Sequence, residues 1–313
     1  MHATILATIF AMIFALSRTA VWMLAAAIVL FLIAALAVRS AVAQAGGLDK
    51  IVALSNLCFA IPLAVFGAEH FAEAKGIAEG VPAFMPWHLF WAYFVGVALL
   101  AASLSIATRI QVQWSGLLFG IMMFLFVAMM DLPGTLAKPH DRFNWALLLR
   151  ELSFGSGGWC LAAAAIMGSR PSAMQRQRSG TRWLVIVARV IIGVTAVFYG
   201  VEHFLHPINV PGVPLEKLMP TWIPARMLIS YVTGALLVVA GAGILLAQRT
   251  RMAATYLGFW LVLVVLFIYG PILIASLLDA SAGTQIEGIN YFFDTLLYAG
   301  TILAVAQASP RPE

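Results

Sequence analysis

Long apolar runs separated by short polar breaks predict helices near residues 20–38, 51–71, 89–107, 112–130, 144–167, 183–205, 225–247, 253–277 and 289–308. Each run approaches or exceeds the roughly 20 residues that a bilayer-spanning helix requires. Alternation with a period of two is not sustained, and the runs are too long for single strands, so the pattern predicts an all-α integral membrane protein. The breaks hold Gly, Pro, Asp, Lys or Arg, as expected where a chain leaves hydrocarbon. Residues 1–16 are also largely apolar, and Ser17-Arg18-Thr19 interrupts them. Ala41-Val42-Ala43 resembles a small-residue cleavage site, but the apolar region exceeds the roughly 7–15 residues of a secretory signal and has no basic start. The N-terminal region therefore reads as an uncleaved membrane helix.

A duplication organises the remainder. Ala64-Val65-Phe66-Gly67-Ala68-Glu69-His70-Phe71 returns about 130 residues later as Ala196-Val197-Phe198-Tyr199-Gly200-Val201-Glu202-His203-Phe204. A Pro/Gly-containing loop follows each copy, then Met85-Pro86-Trp87 or Met219-Pro220-Thr221-Trp222, then Tyr93 with Gly96 or Tyr231 with Gly234. The expected architecture is two parallel-repeat four-helix bundles plus an N-terminal helix. Its boundaries are 1–47 for the N-terminal helix region, 48–168 for the first unit, 169–182 for a linker, 183–308 for the second unit and 309–313 for a tail.

Composition agrees with the hydropathy pattern. Only 10% of residues are charged and mean hydropathy is +0.98, against about a quarter charged in soluble domains. The formal net charge is +5, but the basic residues lie mostly in short loops that set topology, so no nucleic-acid partner is assigned. Arg39 and Lys50, Arg109, the cluster Arg170/Arg176/Arg178/Arg182, and Arg249 with Arg251 recur after every second span. Placing those loops in the cytoplasm sets both Glu-His segments near the outer face of a bacterial cytoplasmic (inner) membrane. Cys58 and Cys160 sit in apolar runs without a Cys-x-x-Cys pattern and read as packed thiols.

Ionisable residues inside membrane spans are functional candidates by default, because a charged, unpaired side chain there is costly. The candidate polar site comprises Glu69, His70, Asp131, Asn144, Glu151, Glu202, His203, Asn290 and Asp294. Asn144 and Glu151 are seven positions apart and can share a helix face, as can Asn290 and Asp294 at four. If each repeat bundles on itself, Glu69 and His70 face Asp131, Asn144 and Glu151, while Glu202 and His203 face Asn290 and Asp294. Arg150 and Glu151 are adjacent and are not expected to share a face, so a salt bridge to a different helix or to phospholipid is expected for them. Glu73 and His206 read as wet rim residues, and Arg189 as a snorkelling or structural group matched by Asn56 in the first repeat. His88 and His140 lie near the same face, but no compact His spacing supports a metal or haem site, and neither is assigned. A quinone is easier to accommodate: an apolar ring needs a lipid-accessible cleft, and its oxygens can meet Glu, His, Asn or Tyr. Phe84, Trp87, Phe90, Trp91, Tyr93, Trp222 and Tyr231 read chiefly as interfacial anchors, and Gly116-x-x-x-Gly120 as a close-packing site.

On the two Gly-x-Glu-His-Phe segments, the Met-Pro-Trp and Met-Pro-x-Trp turns and the Tyr/Gly positions after them, residues 48–308 resemble a tandem DoxX/DoxD-like membrane protein. The matching positions are Gly67, Glu69, His70, Pro86 and Tyr93, and Gly200, Glu202, His203, Pro220 and Tyr231. The resemblance implies compact four-helix units and, for some relatives, thiosulfate-to-quinone electron transfer or membership of membrane oxidoreductase complexes. The tandem arrangement departs from the single-unit pattern. A redox-associated membrane subunit with a quinone or an oxidoreductase partner, a small-solute transporter, and a noncatalytic scaffold for envelope proteins in contact with membrane lipids all stay open, as does whether the chain is an enzyme.

Overall fold

The computed structural model describes residues 16–168, 175–213 and 216–310. Nine long helices dominate the described residues. They are α1 (Arg18–Gln44), α2 (Asp49–Ala72), α3 (His88–Thr108), α4 (Val112–Ala137), α5 (Arg142–Gly168), α6 (Gln175–Leu205), α7 (Arg226–Leu245), α8 (Thr250–Leu277) and α9 (Ala282–Ala308). Eight helical segments are long and apolar enough to cross a membrane; α5 has comparable length, 27 residues, but carries Arg142, Arg150 and Glu151 and a Ser/Gly-rich centre. The only β pairing among the described residues is an isolated bridge between Asn209 and Leu218, in keeping with the all-α expectation. The apolar residues before Ala15 lie outside the described residues, as does part of the expected linker. Helix α6 begins at Gln175, within the expected linker 169–182.

Segments expected to be outer loops are partly helical. A short helix covers Ala74–Glu79, and α4 runs past Asp131 to Ala137 through a π-turn at Val127–Asp131. Helix α8 has the same device at Val265–Tyr269. Each π-turn is followed within two residues by proline, Pro133 or Pro271. Proline lacks the N–H that an α-helical register requires, and a one-residue shift of the ladder absorbs the break.

Packing departs from two self-contained bundles. Within each half, the first helix pairs with the second (α2 with α3, α6 with α7) and the third with the fourth (α4 with α5, α8 with α9). The fourth helix, however, packs against the first helix of the opposite half: α5 on α6, and α9 on α2. Helices α5 and α9 also pack on one another, while the first and fourth helices of the same half make little contact. The result is one interlocked eight-helix assembly, with α1 laid against α2 and α3. Small residues make the central crossings possible. A Cβ on Gly300 would lie 2.8 Å from the Phe59 nitrogen, and one on Gly157 would lie 2.6 Å from Thr301 Oγ1. The Gly116/Gly120 pair is a packing site as expected, closing α4 onto Gly158 and Trp159 of α5.

The halves repeat each other in detail. Asn56 Nδ2 donates to the Ile106 carbonyl at 3.2 Å, and Arg189 Nη1 donates to the Ile244 and Leu245 carbonyls at 2.6 and 2.9 Å. Both side chains add a donor to the last carbonyls of the second helix of their half, which gives Arg189 the structural role expected of it. Trp87 and Ala225 take left-handed backbone at corresponding helix starts.

Candidate functional site

Both Glu-His turns are held by a glycine crossing. A Cβ on Gly67 would lie 3.2 Å from the Gly96 carbonyl, and a Cβ on Gly96 would lie 2.9 Å from His70 Cβ. Gly200 and Gly234 repeat the crossing against each other and against His203 Cβ at 2.9 Å. At these positions glycine serves close approach, since a larger residue would push the helices apart. The crossing aims each histidine along its own helix. Nδ1 of His70 bonds the Phe66 carbonyl at 2.7 Å, and Nδ1 of His203 bonds the Tyr199 carbonyl at 2.6 Å.

The second ring nitrogen separates the copies. His203 Nε2 accepts from the Gly212 N–H at 2.9 Å, because the loop after α6 folds back with Val210 and Val213 buried. Gly212 has φ +110°, a conformation that disfavours a side chain. Both His203 nitrogens are thus occupied by backbone, leaving none to ligate a metal. His70 is half-buried and has only its first bond among the described residues.

The carboxylates pair across the halves rather than within them, which corrects the expected grouping. Glu69 Oε1 accepts from Asn290 Nδ2 of α9 at 2.9 Å. Glu202 Oε2 meets Arg142 Nη1 of α5 at 3.2 Å and His206 Nε2 at 3.8 Å. Asp294 Oδ2 of α9 meets Arg150 Nη1 of α5 at 2.7 Å, and the same guanidinium reaches Glu151 Oε1 through Nη2 at 2.9 Å. The adjacent Arg150 and Glu151 therefore do bond, although their Cβ directions diverge, because the arginine side chain is long enough to fold between two acids. The physical cause of the regrouping is the interlocked packing: α9 stands beside α2, and α5 beside α6. His206 and Glu73 are more than wet rim. His206 faces Glu202, and Glu73 accepts from Thr19 Oγ1 at 2.5 Å, tying α1 to α2.

Asp131 closes the π-turn of α4. Its Oδ2 is buried without a hydrogen-bond partner among the described residues, and its charge is within range of Glu151 and Arg150. Asn144 Nδ2 donates to the Gly134 carbonyl at 3.4 Å. Asp131 and Asn144 together line a cavity of about 420 Å³ whose other walls include Pro82, Met129, Met130 and Leu147. Among the described residues, His88 and His140 share no hydrogen bond or ion pair with this group. Among the described residues, no group of three or more His, Cys, Asp or Glu is disposed to hold a metal ion.

Comparison with protein-family models, with curated proteins and with solved structures finds no match. The site therefore has to be read from its own chemistry. Arg150 bonds Glu151 and Asp294 and lies within electrostatic range of Asp131, so one cation stands among three acids, and the two surplus carboxylates can take up protons or a cationic group. Arg142, Tyr199 and Tyr298 belong to this region and were not among the expected site residues. Tyr199 donates to the Ala146 carbonyl at 2.8 Å, and its ring lies 5.5 Å from that of Tyr298. Arg142 is eight positions before Arg150, roughly 80° round the helix, so helical spacing did not join the two.

Proposed function

We propose that this integral membrane protein is a redox-associated subunit that binds a quinone-class ring in its outer cavity and exchanges protons with it. The observation that carries the reading is the cavity itself: Met129, Met130, Leu147 and Pro82 offer apolar walls, and Asp131 and Asn144 offer the polar groups. The reduced, quinol form fits these polar groups, because Asp131 lines the cavity and its carboxylate can accept from a ring hydroxyl, while a protonated Asp131 can donate to a quinone carbonyl. A bound quinone supplies two-electron, two-proton chemistry, with the electrons exchanged with a partner oxidoreductase. The chain's own residues hold the ring and store protons: Asp131 faces the cavity, and Glu151, Arg150 and Asp294 continue the polar path toward the contact between the halves. The resemblance to tandem DoxX/DoxD-like proteins favours this assignment, and a cytoplasmic-membrane location with the Glu-His turns outward is part of the same proposal.

Titration of the full chain in lipid nanodiscs with a short-chain benzoquinone tests the reading. Saturable binding is expected for the wild type, with strong weakening in Leu147→Trp, which fills the cavity. Uptake that never saturates and is equal in both would overturn it. A transporter is the second reading, favoured by the placement of the Arg150–Asp294 pair on the contact between the halves. Proton-gradient-driven flux in proteoliposomes without quinone binding would select it.

A further inference from the structure

At the opposite end of the bundle from the Glu-His turns, a second cavity of about 460 Å³ opens between the end of α1, the start of α2, the α3–α4 turn and the α8–α9 pair. Its polar lining is Gln44, Asp49, Arg109, Arg251, Gln307 and Ser309, and small apolar residues such as Ala41, Val52 and Ala53 complete it. We infer that this cavity is a binding site for a phosphate-bearing anion, with an anionic phospholipid headgroup as the source that the apolar lining favours.

The two arginines have different duties. Arg251 is committed to the fold: Nη1 donates to the Ala306 carbonyl at 2.7 Å and more weakly to Ser309, and Nη2 meets Asp49 Oδ1 at 2.7 Å. These bonds satisfy the last carbonyls of α9 and neutralise the one acid in the cavity. Gln307 is fixed by accepting from Ser55 Oγ at 2.6 Å. Arg109 is different. It sits at the tight turn between α3 and α4 with φ +62°, its side chain lines the cavity, and its guanidinium has no partner among the described residues. With Asp49 matched by Arg251, Arg109 leaves the cavity with an uncompensated positive charge. Its planar fork suits a phosphate, which accepts two parallel N–H bonds.

The place of the cavity fits a lipid better than a free ion. It lies where two spanning helices end, α1 at Gln44 and α3 at Thr108, and another begins at Asp49, which is the depth of headgroups if these helices cross the bilayer. Basic pockets between membrane helices hold anionic headgroups by this chemistry. Other basic residues cluster toward this end of the sequence pattern, but Arg109 is the one that the cavity presents unpaired.

The test is thermal unfolding of the full chain in a neutral detergent while one of three probes is added: dioctanoyl phosphatidylglycerol, dioctanoyl phosphatidylcholine or inorganic phosphate. Specific binding to the folded state raises the midpoint with saturation. Phosphatidylglycerol is expected to stabilise and phosphatidylcholine is not. Arg109→Gln is expected to weaken the phosphatidylglycerol response about tenfold in apparent affinity, the loss of one charge-assisted bond. Arg109→Lys, which keeps the charge, should retain most of that affinity, and Arg182→Gln, outside the cavity, should behave as wild type. A response to inorganic phosphate alone that Arg109→Gln abolishes assigns the same site to a soluble phosphate. Equal responses to phosphatidylglycerol and phosphatidylcholine, no response to any probe, or an unchanged response in Arg109→Gln would overturn the inference. The midpoint of each variant without added probe shows whether it folds, and the lysine variant keeps the test decisive if the glutamine variant does not.

Discussion

Replacing Arg150 by methionine removes the cation that joins α5 to α9. Its side chain is 19% exposed, and those of its partners Glu151 and Asp294 are 17% and 13% exposed, so water screens little of the interaction. The substitution strands two acids facing each other, with Asp131 nearby. Breaking a buried pair by removing one partner costs about 3–5 kcal/mol, a large share of a typical stability of about 5–15 kcal/mol. Removing Asp294 as well, as Arg150→Met with Asp294→Leu, restores part of the loss, because one stranded charge leaves with its partner. The expected coupling between the two positions is about 1–3 kcal/mol. Reversible unfolding of both single variants and the double variant in mixed micelles measures this cycle. Arg150→Met within about 0.5 kcal/mol of the wild type, or additivity of the two changes to within about 0.5 kcal/mol, would refute the claim that this pair fastens the halves together.

The glycine crossing gives a contrast between two substitutions. Gly200→Ala places its Cβ 2.7 Å from the Gly234 carbonyl and is expected to cost about 1–3 kcal/mol, whereas Gly76→Ala meets nothing within 4 Å and should be neutral or stabilise by up to about 1 kcal/mol in the same unfolding assay. Cross-half packing predicts that a short thiol cross-linker joins cysteines placed at Glu69 and Asn290, and not a pair at Glu69 and Asn144, in a Cys58→Ala, Cys160→Ala background; electrophoresis reads the first pair after proteolysis between α5 and α6 and the second after proteolysis between α3 and α4. Cys58 and Cys160 are 4% and 0% exposed, so both should resist a membrane-impermeant maleimide in the native protein and react once it unfolds, which mass spectrometry quantifies.

Much of the fold was legible because bilayer-length apolar runs specify helices almost without help from tertiary structure. The duplicated Glu-His turns were legible for a related reason: Gly67, Glu69 and His70, and Gly200, Glu202 and His203, keep the same local geometry in both halves. Which helix faces which was not. Helices such as α3 are apolar on every face, so periodicity cannot separate a lipid-facing side from a protein-facing one. The central place of α9 did leave a trace in its small residues, Ala299, Gly300, Ala304 and Ala306, all buried, but small residues alone do not name the helix they meet. The π-turns were hidden, since Pro133 and Pro271 announce a break without saying that the helix continues beyond it. Arg150 finds the expected partner on another helix in Asp294, but its bond to the adjacent Glu151 was not legible, because helical spacing constrains Cβ atoms while the guanidinium lies several bonds further out.

The central claim, that the cavity beside Asp131 takes a quinone-class ring, is tested most directly by photoaffinity labelling of the full chain in nanodiscs with an azido-benzoquinone, followed by peptide mapping. Label is predicted on the segments that wall the cavity, around Met129–Met130 and Asn144–Leu147, and it should be displaced by excess unlabelled quinone and lost in Leu147→Trp. Label spread over lipid-facing residues such as Trp114 and Phe267, unaffected by competitor or by the filled cavity, would contradict the account.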